Sequence, residues 1–465
     1  MSPFFHQLFW AGSGPLSLAR GLLFLLHGCD WVSSNQEKTF EVSALGCRTN
    51  QYEAQAFKDQ LIALGYRPAE KGEKAAICIV NSCTVTEQAD RSSRQEVRRL
   101  AKEHEGAQLL VTGCSAESHK EQFLQVAGVS AVVPNREKEQ LLQRLFPEQE
   151  LPEFAIRHFE AHTRAFVKVQ DGCNSFCSYC VIPYVRGRSR SRRLEEIVAE
   201  CRELIAGGFK EIVLTGINIG DFDGGLAPEE GRVSLAQLVR AVDQLEGLER
   251  LRLSSIDPDE VDEELLEAIV TGRRCCPSMH IVLQSGSNVV LKRMRRKYTR
   301  QVFLETIERL LSANPRFTFT TDLIVGFPGE TEEDHAETLQ VIEQVRFAKV
   351  HVFPFSLRPG TRAVRMEGHV DKATIAERKQ QLLRQSEQAA SRLRQEYLAT
   401  KSWVLTEGEG SESSSKRMGG HTDNFLQVWI EAGNEPLAAN QLVEVELIAN
   451  EPEGLIGHLV GRMPR

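Results

Sequence analysis

The sequence of 465 residues lacks any apolar run close to the roughly 20 residues that span a bilayer, which excludes a transmembrane helix by pattern. It lacks an excess of positive charge as well. The formal net charge is −8, so nothing global draws the chain to nucleic acid, and such a partner must be met by local basic patches. It also lacks an even, paired set of cysteines. Its eleven are Cys29, Cys47, Cys78, Cys83, Cys114, Cys173, Cys177, Cys180, Cys201, Cys275 and Cys276. An odd count with one tight cluster argues against a secreted disulfide framework and for metal binding or catalysis in a reducing, cytoplasmic compartment. What remains is an ordinary soluble composition, 41% hydrophobic and 26% charged, in a chain long enough for two or three domains.

Within the first 37 residues, Gly21 to Leu26 is apolar, and Leu26-His27-Gly28-Cys29 has the outline of a lipoprotein cleavage site. The run is too short for a signal core, and Arg20 is the only Lys or Arg before it. The expectation is that the patterned protein begins near Lys38, with residues 1–37 a disordered extension or a misplaced start. Strand-like runs at Thr39–Ala44, Ala75–Val80 and Gln108–Thr112 alternate with helical ones at Gln51–Leu64 and Ala89–Lys102. That alternation predicts a parallel α/β domain over residues 38–146. Cys47, Cys83 and Cys114 each follow a strand, at the sheet edge where ligands gather in such folds. Cys78 lies inside the second strand and reads as core, and Phe146 to Arg157, with Pro147 and Pro152, reads as a linker.

From Arg164 six strand-like runs alternate with helices: Ala165–Gln170, Glu211–Thr215, Arg250–Ser254, His280–Gln284, Thr318–Val325 and Lys349–Phe353. With no seventh or eighth unit, they predict a partial (β/α)6 TIM-like barrel over residues 160–372, its function on the loops after the strands. A charged helical connector (373–400) then leads to a small C-terminal all-β module (401–465), with strands at Ser402–Glu407, Phe425–Ile430 and Leu442–Ala449. Gly408 to Gly420 reads as a flexible loop.

The sharpest motif is Asp171-Gly172-Cys173-Asn174-Ser175-Phe176-Cys177-Ser178-Tyr179-Cys180. Three thiolates spaced C-x₃-C-x₂-C hold three irons of a four-iron cubane and leave the fourth open, since full protein ligation takes four thiolates. Structural zinc takes four ligands, usually as two pairs, and the adjacent Cys275-Cys276 has the wrong spacing for a second pair. The motif resembles the signature of the radical S-adenosylmethionine (SAM) superfamily, with Tyr179 as its aromatic. The resemblance implies that SAM chelates the open iron and is cleaved by one electron to a 5′-deoxyadenosyl radical.

Leu45-Gly46-Cys47-Arg48-Thr49-Asn50-Gln51-Tyr52-Glu53, Val80-Asn81-Ser82-Cys83-Thr84-Val85-Thr86 and Val111-Thr112-Gly113-Cys114 are similar to the methylthiotransferase family. So are Gln284-Ser285-Gly286-Ser287, Asp322 to Thr331 and Phe355 to Thr361. The resemblance implies a second, auxiliary [4Fe–4S] cluster on Cys47, Cys83 and Cys114. It further implies two roles for SAM, as methyl donor and as radical source. Asn50 to Glu53 and Cys83 to Arg91 resemble most the branch that adds a 2-methylthio group to C2 of N6-threonylcarbamoyladenosine at position 37 of tRNA. Sister branches act on isopentenyl-adenosine in tRNA or on a ribosomal-protein aspartate. A non-enzymatic, metal-bearing RNA-binding protein is the reading from another class. Implied partners are tRNA and an electron-donating reductase, with the sulfur donor open and no membrane.

Candidate SAM contacts at the strand ends are Tyr179, Thr215, Gly216, Ser254, Gln284, Asp322 and Gly326, although Ser254 reads equally well as a plain loop residue. Candidate RNA contacts are Arg186, Arg188, Arg190, Arg192 and Arg193, directly after the cluster loop, where phosphates need neutralising. A second basic run spans Lys292, Arg293, Arg295, Arg296, Lys297 and Arg300. A third, Arg91, Arg94, Arg98 and Arg99, reads as a solvated face. The C-terminal module resembles the TRAM domain, a tRNA-binding β-barrel, but residues 401–465 carry ten acidic residues against five Lys and Arg. His421, Phe425 and Trp429 are its candidates for stacking on bases.

Overall fold

The computed structural model describes residues 38–157, 163–227, 231–409, 417–431 and 437–462. The expectation for residues 1–37 lies outside them. The N-terminal sheet is all parallel: β1 (Thr39–Ala44), β2 (Arg67–Pro68), β3 (Ile77–Ser82), β4 (Gln108–Gly113) and β5 (Val129–Val132), in spatial order β2-β1-β3-β4-β5. Central β3 is buried along its whole length, which is why it reads as a near-continuous apolar run. The pattern reading passes over β2 and β5 because one is two residues long and the other four. Helix Glu87–Glu103 starts where Thr86 accepts a hydrogen bond from the Ala89 N–H, with Glu87 and Asp90 in its first turn.

The second domain contains β6 (Arg164–Lys168), the short pair β7 (Gln170–Asp171) and β8 (Arg190–Ser191), then β9 (Glu211–Thr215), β10 (Arg250–Leu253), β11 (Ser278–His280), β12 (Thr318–Val325) and β13 (Phe347–Pro354). Strands β6, β9 and β10 form one parallel sheet and β11, β12 and β13 another. Parallel bridges Leu251–Cys275 and Ile256–Ile281 join them into an open six-strand crescent. In β12, Phe319, Thr321, Leu323 and Val325 are buried outward against helices, and the alternate residues Thr320, Asp322 and Ile324 line the lumen. Strand β11 ends earlier than the pattern predicts. At Gln284 the backbone turns to φ +66°, so this segment pairs with Leu323 only as an isolated bridge.

The domains are packed together. Helix Arg48–Ala63 lies against β6, with Tyr52 and Ala56 in the barrel's own core cluster. The segment read as a linker is irregular backbone but docked: Ile156 is buried and its N–H donates to Glu200 at 2.7 Å, while Phe154 packs edge-on against Phe57. Helix Lys372–Gln395, capped by Asp371, covers β13 through Leu382 and Ala389.

The C-terminal module is a closed barrel of β14 (Lys401–Glu409), β15 (Met418–Thr422), β16 (Gln427–Glu431), β17 (Leu442–Glu451) and β18 (Gly454–Arg462). Strand β15 occupies the end of the predicted flexible loop. The module sits at the N-terminal ends of the crescent's strands. Arg250 donates to the His421 and Trp403 carbonyls at 2.9 and 2.7 Å, and Arg252 donates to those of Thr422 and Asp423.

Candidate functional site

Cys47, Cys83 and Cys114 follow β1, β3 and β4 at one edge of the sheet, and each thiol lies in the electrostatic range of the others. Their loops are tied together. The Asn50 side-chain amide donates to the Leu45 carbonyl at 2.6 Å and the Ser82 carbonyl at 3.1 Å, and Ser82 Oγ donates to the Thr112 carbonyl at 2.6 Å. Gly46 has φ +90°, and a Cβ there would run into the Cys83 sulfur, so only glycine lets these two loops close. Burial pushes the Cys83 thiol up to about 12 and raises Cys47 too. Cys47 nevertheless keeps exposed surface, as a group lining a recess does.

Cys173, Cys177 and Cys180 share the single loop after β7. Burial lifts Cys180 to about 12 and raises Cys173, with the neighbouring thiols adding to both. Arg296 donates to Cys177 Sγ at 3.1 Å, and the Ser175 N–H to Cys173 Sγ at 3.3 Å.

Between the trios lies a buried charge network. Arg186 donates from Nε to Cys114 Sγ at 3.3 Å, from Nη1 to Glu53 at 3.1 Å and Asp171 at 2.7 Å, and from Nη2 to Asn50 at 2.5 Å. Lys138 stands 2.5 Å from Glu53, and Lys168 joins Glu53 to Glu139. Burial alone would raise the Glu53 and Asp171 carboxyls, but Arg186, Lys138 and Lys168 outweigh it and hold both below their ordinary range. On a third side, Arg358 donates to Thr84 Oγ1 at 2.7 Å and pairs with Asp90, which accepts from Ser115 at 2.8 Å.

All six predicted cysteines are thus free thiols, and Arg186 at Cys114 and Arg296 at Cys177 would offset negative charge of thiolate-bound iron. The donor sets fit iron–sulfur clusters. Around the crescent's mouth, Ser254 Oγ and Gln284 Oε1 are buried without a hydrogen-bond partner among the described residues, as positions that await a polar ligand would be. The Thr215 carbonyl accepts from the Val169 N–H at 2.8 Å, and Gly216 borders Gln170, whose Oε1 accepts from the Ile217 and Asn218 N–H groups and whose amide braces Gly172. Tyr179 packs edge-on against Phe327, 6.3 Å between centroids.

Several expected contacts lie elsewhere. Gly326 has φ +74° and its Cα faces Ile375 of the outer helix, while its N–H is taken by Glu330, so it turns away from the mouth. Arg186 is buried in the interdomain network, and Arg192 bonds to Tyr52 and Glu200; neither reaches a phosphate. Arg188, Arg190 and Arg193 remain exposed, though Arg190 also pairs with Asp171 at 2.7 Å. His421 stacks on Phe425 at 4.5 Å, and Phe425 is held between Arg164 and Arg252 under the crescent, which removes both rings from base stacking. Of the second basic run, Arg296 is turned inward to Cys177 and Asp257. Glu53, Lys138, Asp171 and Arg296 are the residues that pattern reading missed. Charge inside a motif or a basic run carries no mark of burial.

Residues 167–342 match the Radical SAM superfamily, and residues 39–134 match Uncharacterized protein family UPF0004. The threonylcarbamoyladenosine tRNA methylthiotransferase MtaB of Chlamydia pneumoniae is 45% identical over 91% of this chain and 98% of its own length. The protein of the same name from Bacillus subtilis is 35% identical over 88% and 94%. The tRNA-2-methylthio-N(6)-dimethylallyladenosine synthase of Carboxydothermus hydrogenoformans is 31% identical over 91% and 99%. Among solved structures, the radical SAM methyltransferase TsrM from Kitasatospora setae superposes with a TM-score of 0.53 at 14% identity, covering 70% of this chain and 77% of that one, a likeness of fold. With two thiol trios on matching domains and relatives aligned over nearly their full length, the chain belongs to the radical-SAM methylthiotransferases, in the threonylcarbamoyladenosine tRNA branch.

Proposed function

We propose that this chain transfers a methylthio group to C2 of N6-threonylcarbamoyladenosine at position 37 of tRNA. It would hold one [4Fe–4S] cluster on Cys173, Cys177 and Cys180 and an auxiliary one on Cys47, Cys83 and Cys114. The observation that carries this reading is Arg186, which touches Cys114 of one trio and Asp171, at the root of the other's loop. That guanidinium ties the auxiliary trio to the base of the other trio's loop, which suits two sites acting on one substrate atom.

Bound there, the clusters and SAM supply a radical able to activate an inert aromatic C–H bond and the sulfur that replaces its hydrogen. The protein's part is placement. Arg296 and Arg186 stabilise thiolate charge, Ser254 and Gln284 offer polar atoms to SAM, and the Arg358–Asp90 pair holds the auxiliary loops over the barrel mouth. Arg188, Arg190 and Arg193 are the RNA contacts in this reading, and electrons come from a reductase in the cytoplasm. Among the described residues no helix is long and apolar enough to cross a membrane. A non-enzymatic binding role does not fit a transferase family.

The test is anaerobic reconstitution, then incubation with SAM, dithionite and tRNA bearing threonylcarbamoyladenosine, with nucleosides read by mass spectrometry. A new 2-methylthio nucleoside is expected. 5′-Deoxyadenosine without it would keep the radical site and overturn the substrate.

A further inference from the structure

Arg48 has no role in the arrangement described so far. It directly follows Cys47 and opens helix Arg48–Ala63, where the helix dipole disfavours a cation. Its guanidinium lies 5.4 Å over the ring of Phe166, a lumen residue of β6, so the side chain runs from the auxiliary loop into the half-barrel. Among the described residues that ring is its one contact partner, and no hydrogen bond or ion pair engages it.

Its guanidinium shares the lumen with Arg164, Arg252, Glu211 and Asp322. Glu211 accepts from Arg252 at 2.7 Å and lies 3.7 Å from Arg250, and Asp322 stands 3.4 Å from His280. Arg164 pairs with Glu407 at 3.2 Å. Arg48 keeps exposed surface, so a ligand can reach it, and among the described residues no carboxylate lies within ion-pair distance of its guanidinium. Across the lumen, polar atoms of His280, Asp322 and His351 lie within 4.8 Å of one another. Such a triad can hold a metal ion or meet the hydroxyl and N–H groups of a polar ligand.

We propose that Arg48 reads the carboxylate of the threonylcarbamoyl group, with Asp322, His280 and His351 meeting its hydroxyl and ureido N–H groups. This recess then separates the substrate from adenosines with an apolar N6 substituent. The inference rests on the function proposed above. A guanidinium fork matches a carboxylate in two parallel hydrogen bonds, and a site built for polar groups rejects a ligand that leaves them unpaired.

The experiment is equilibrium binding, by fluorescence anisotropy, of the reconstituted full-length chain to a short anticodon stem–loop. Its adenosine 37 carries threonylcarbamoyl, the same group with its carboxylate converted to a primary amide, or nothing. The wild type should prefer the carboxylate over the amide by about 10- to 100-fold, the span of one charge-assisted contact. Arg48→Gln should lose that preference while binding the unmodified RNA as before, and Arg48→Lys should keep part of it. Iron content and circular dichroism confirm that the variants are folded and loaded. Wild-type preference retained in both variants overturns the proposal for Arg48. If wild type itself neither prefers the threonylcarbamoyl RNA to the unmodified one nor methylthiolates it, the proposed function fails, and the proposal with it.

Discussion

The two cysteine trios are built in opposite ways. Cys173, Cys177 and Cys180 lie on one loop, so their proximity is a property of about one turn's worth of chain. Cys47, Cys83 and Cys114 come from three strand ends and meet only because β1, β3 and β4 run parallel and in register. Their convergence is secured by Asn50, Ser82 and Gly46 within the sheet and by Arg186 and Arg358 from the other domain. A local site needs its own spacing. A dispersed one needs the rest of the fold, and damage far away should reach it first.

The largest effect should come from removing one thiol on each side. Cys173→Ala should abolish both 5′-deoxyadenosine and methylthio product. Cys83→Ala should abolish the product while SAM is still cleaved on reduction. Loss of 5′-deoxyadenosine in Cys83→Ala, with iron retained at the other trio, would show that the two sites are not separable.

Next in size is Glu53→Gln, which leaves Arg186, Lys138 and Lys168 without their shared buried carboxylate. Urea unfolding should report about 3–5 kcal/mol of lost stability, the usual penalty for breaking a buried pair. The pH dependence has a definite sign. The Glu53 carboxyl is depressed in the folded state, so its contribution is full above its unfolded value of about 4.5 and is lost as pH falls through the folded value. The acid limb of wild-type stability should therefore be steeper than that of the variant.

Gly46→Ala is a sharper probe of the comparison. Strain at positive φ and the clash with Cys83 should cost about 1–3 kcal/mol. Iron uptake should fall at the auxiliary trio only, measured as iron per chain against 5′-deoxyadenosine formed. Equal loss at both trios would erase the distinction between the local and the dispersed site.

The smallest effect is expected at the surface. Arg188 is exposed and stacks on Phe176 at 4.5 Å beside the radical loop. If it meets a phosphate, Arg188→Ala should weaken tRNA binding and reduce the slope of log K against log salt by about 0.7–0.9. Arg186→Ala, buried between the domains, should instead lose stability.

Much of this is legible in the sequence alone. The alternation of strands and helices sets out the parallel sheet and the six-unit crescent, and C-x₃-C-x₂-C names the radical loop. Short elements were not legible: β2 and β5 hold too few residues for a period, and β15 hides in a Gly/Ser-rich stretch. Nor were partners. Arg186, Arg188, Arg190 and Arg192 look alike in one basic run, yet Arg186 and Arg192 are drawn inward into ion pairs, Arg190 pairs with Asp171 while staying exposed, and Arg188 faces solvent. His421 and Phe425 look like surface stackers and instead seal the crescent's base.

By itself the sequence determined the donor atoms, the fold class and the family, because spacing and periodicity are local and survive without knowledge of neighbours. Only the tertiary structure decided which charges are buried, which arginines are free, and that Arg48 points into the lumen. Burial and pairing are relations between distant segments, and a charged side chain's role depends on what dielectric and what partner the fold gives it.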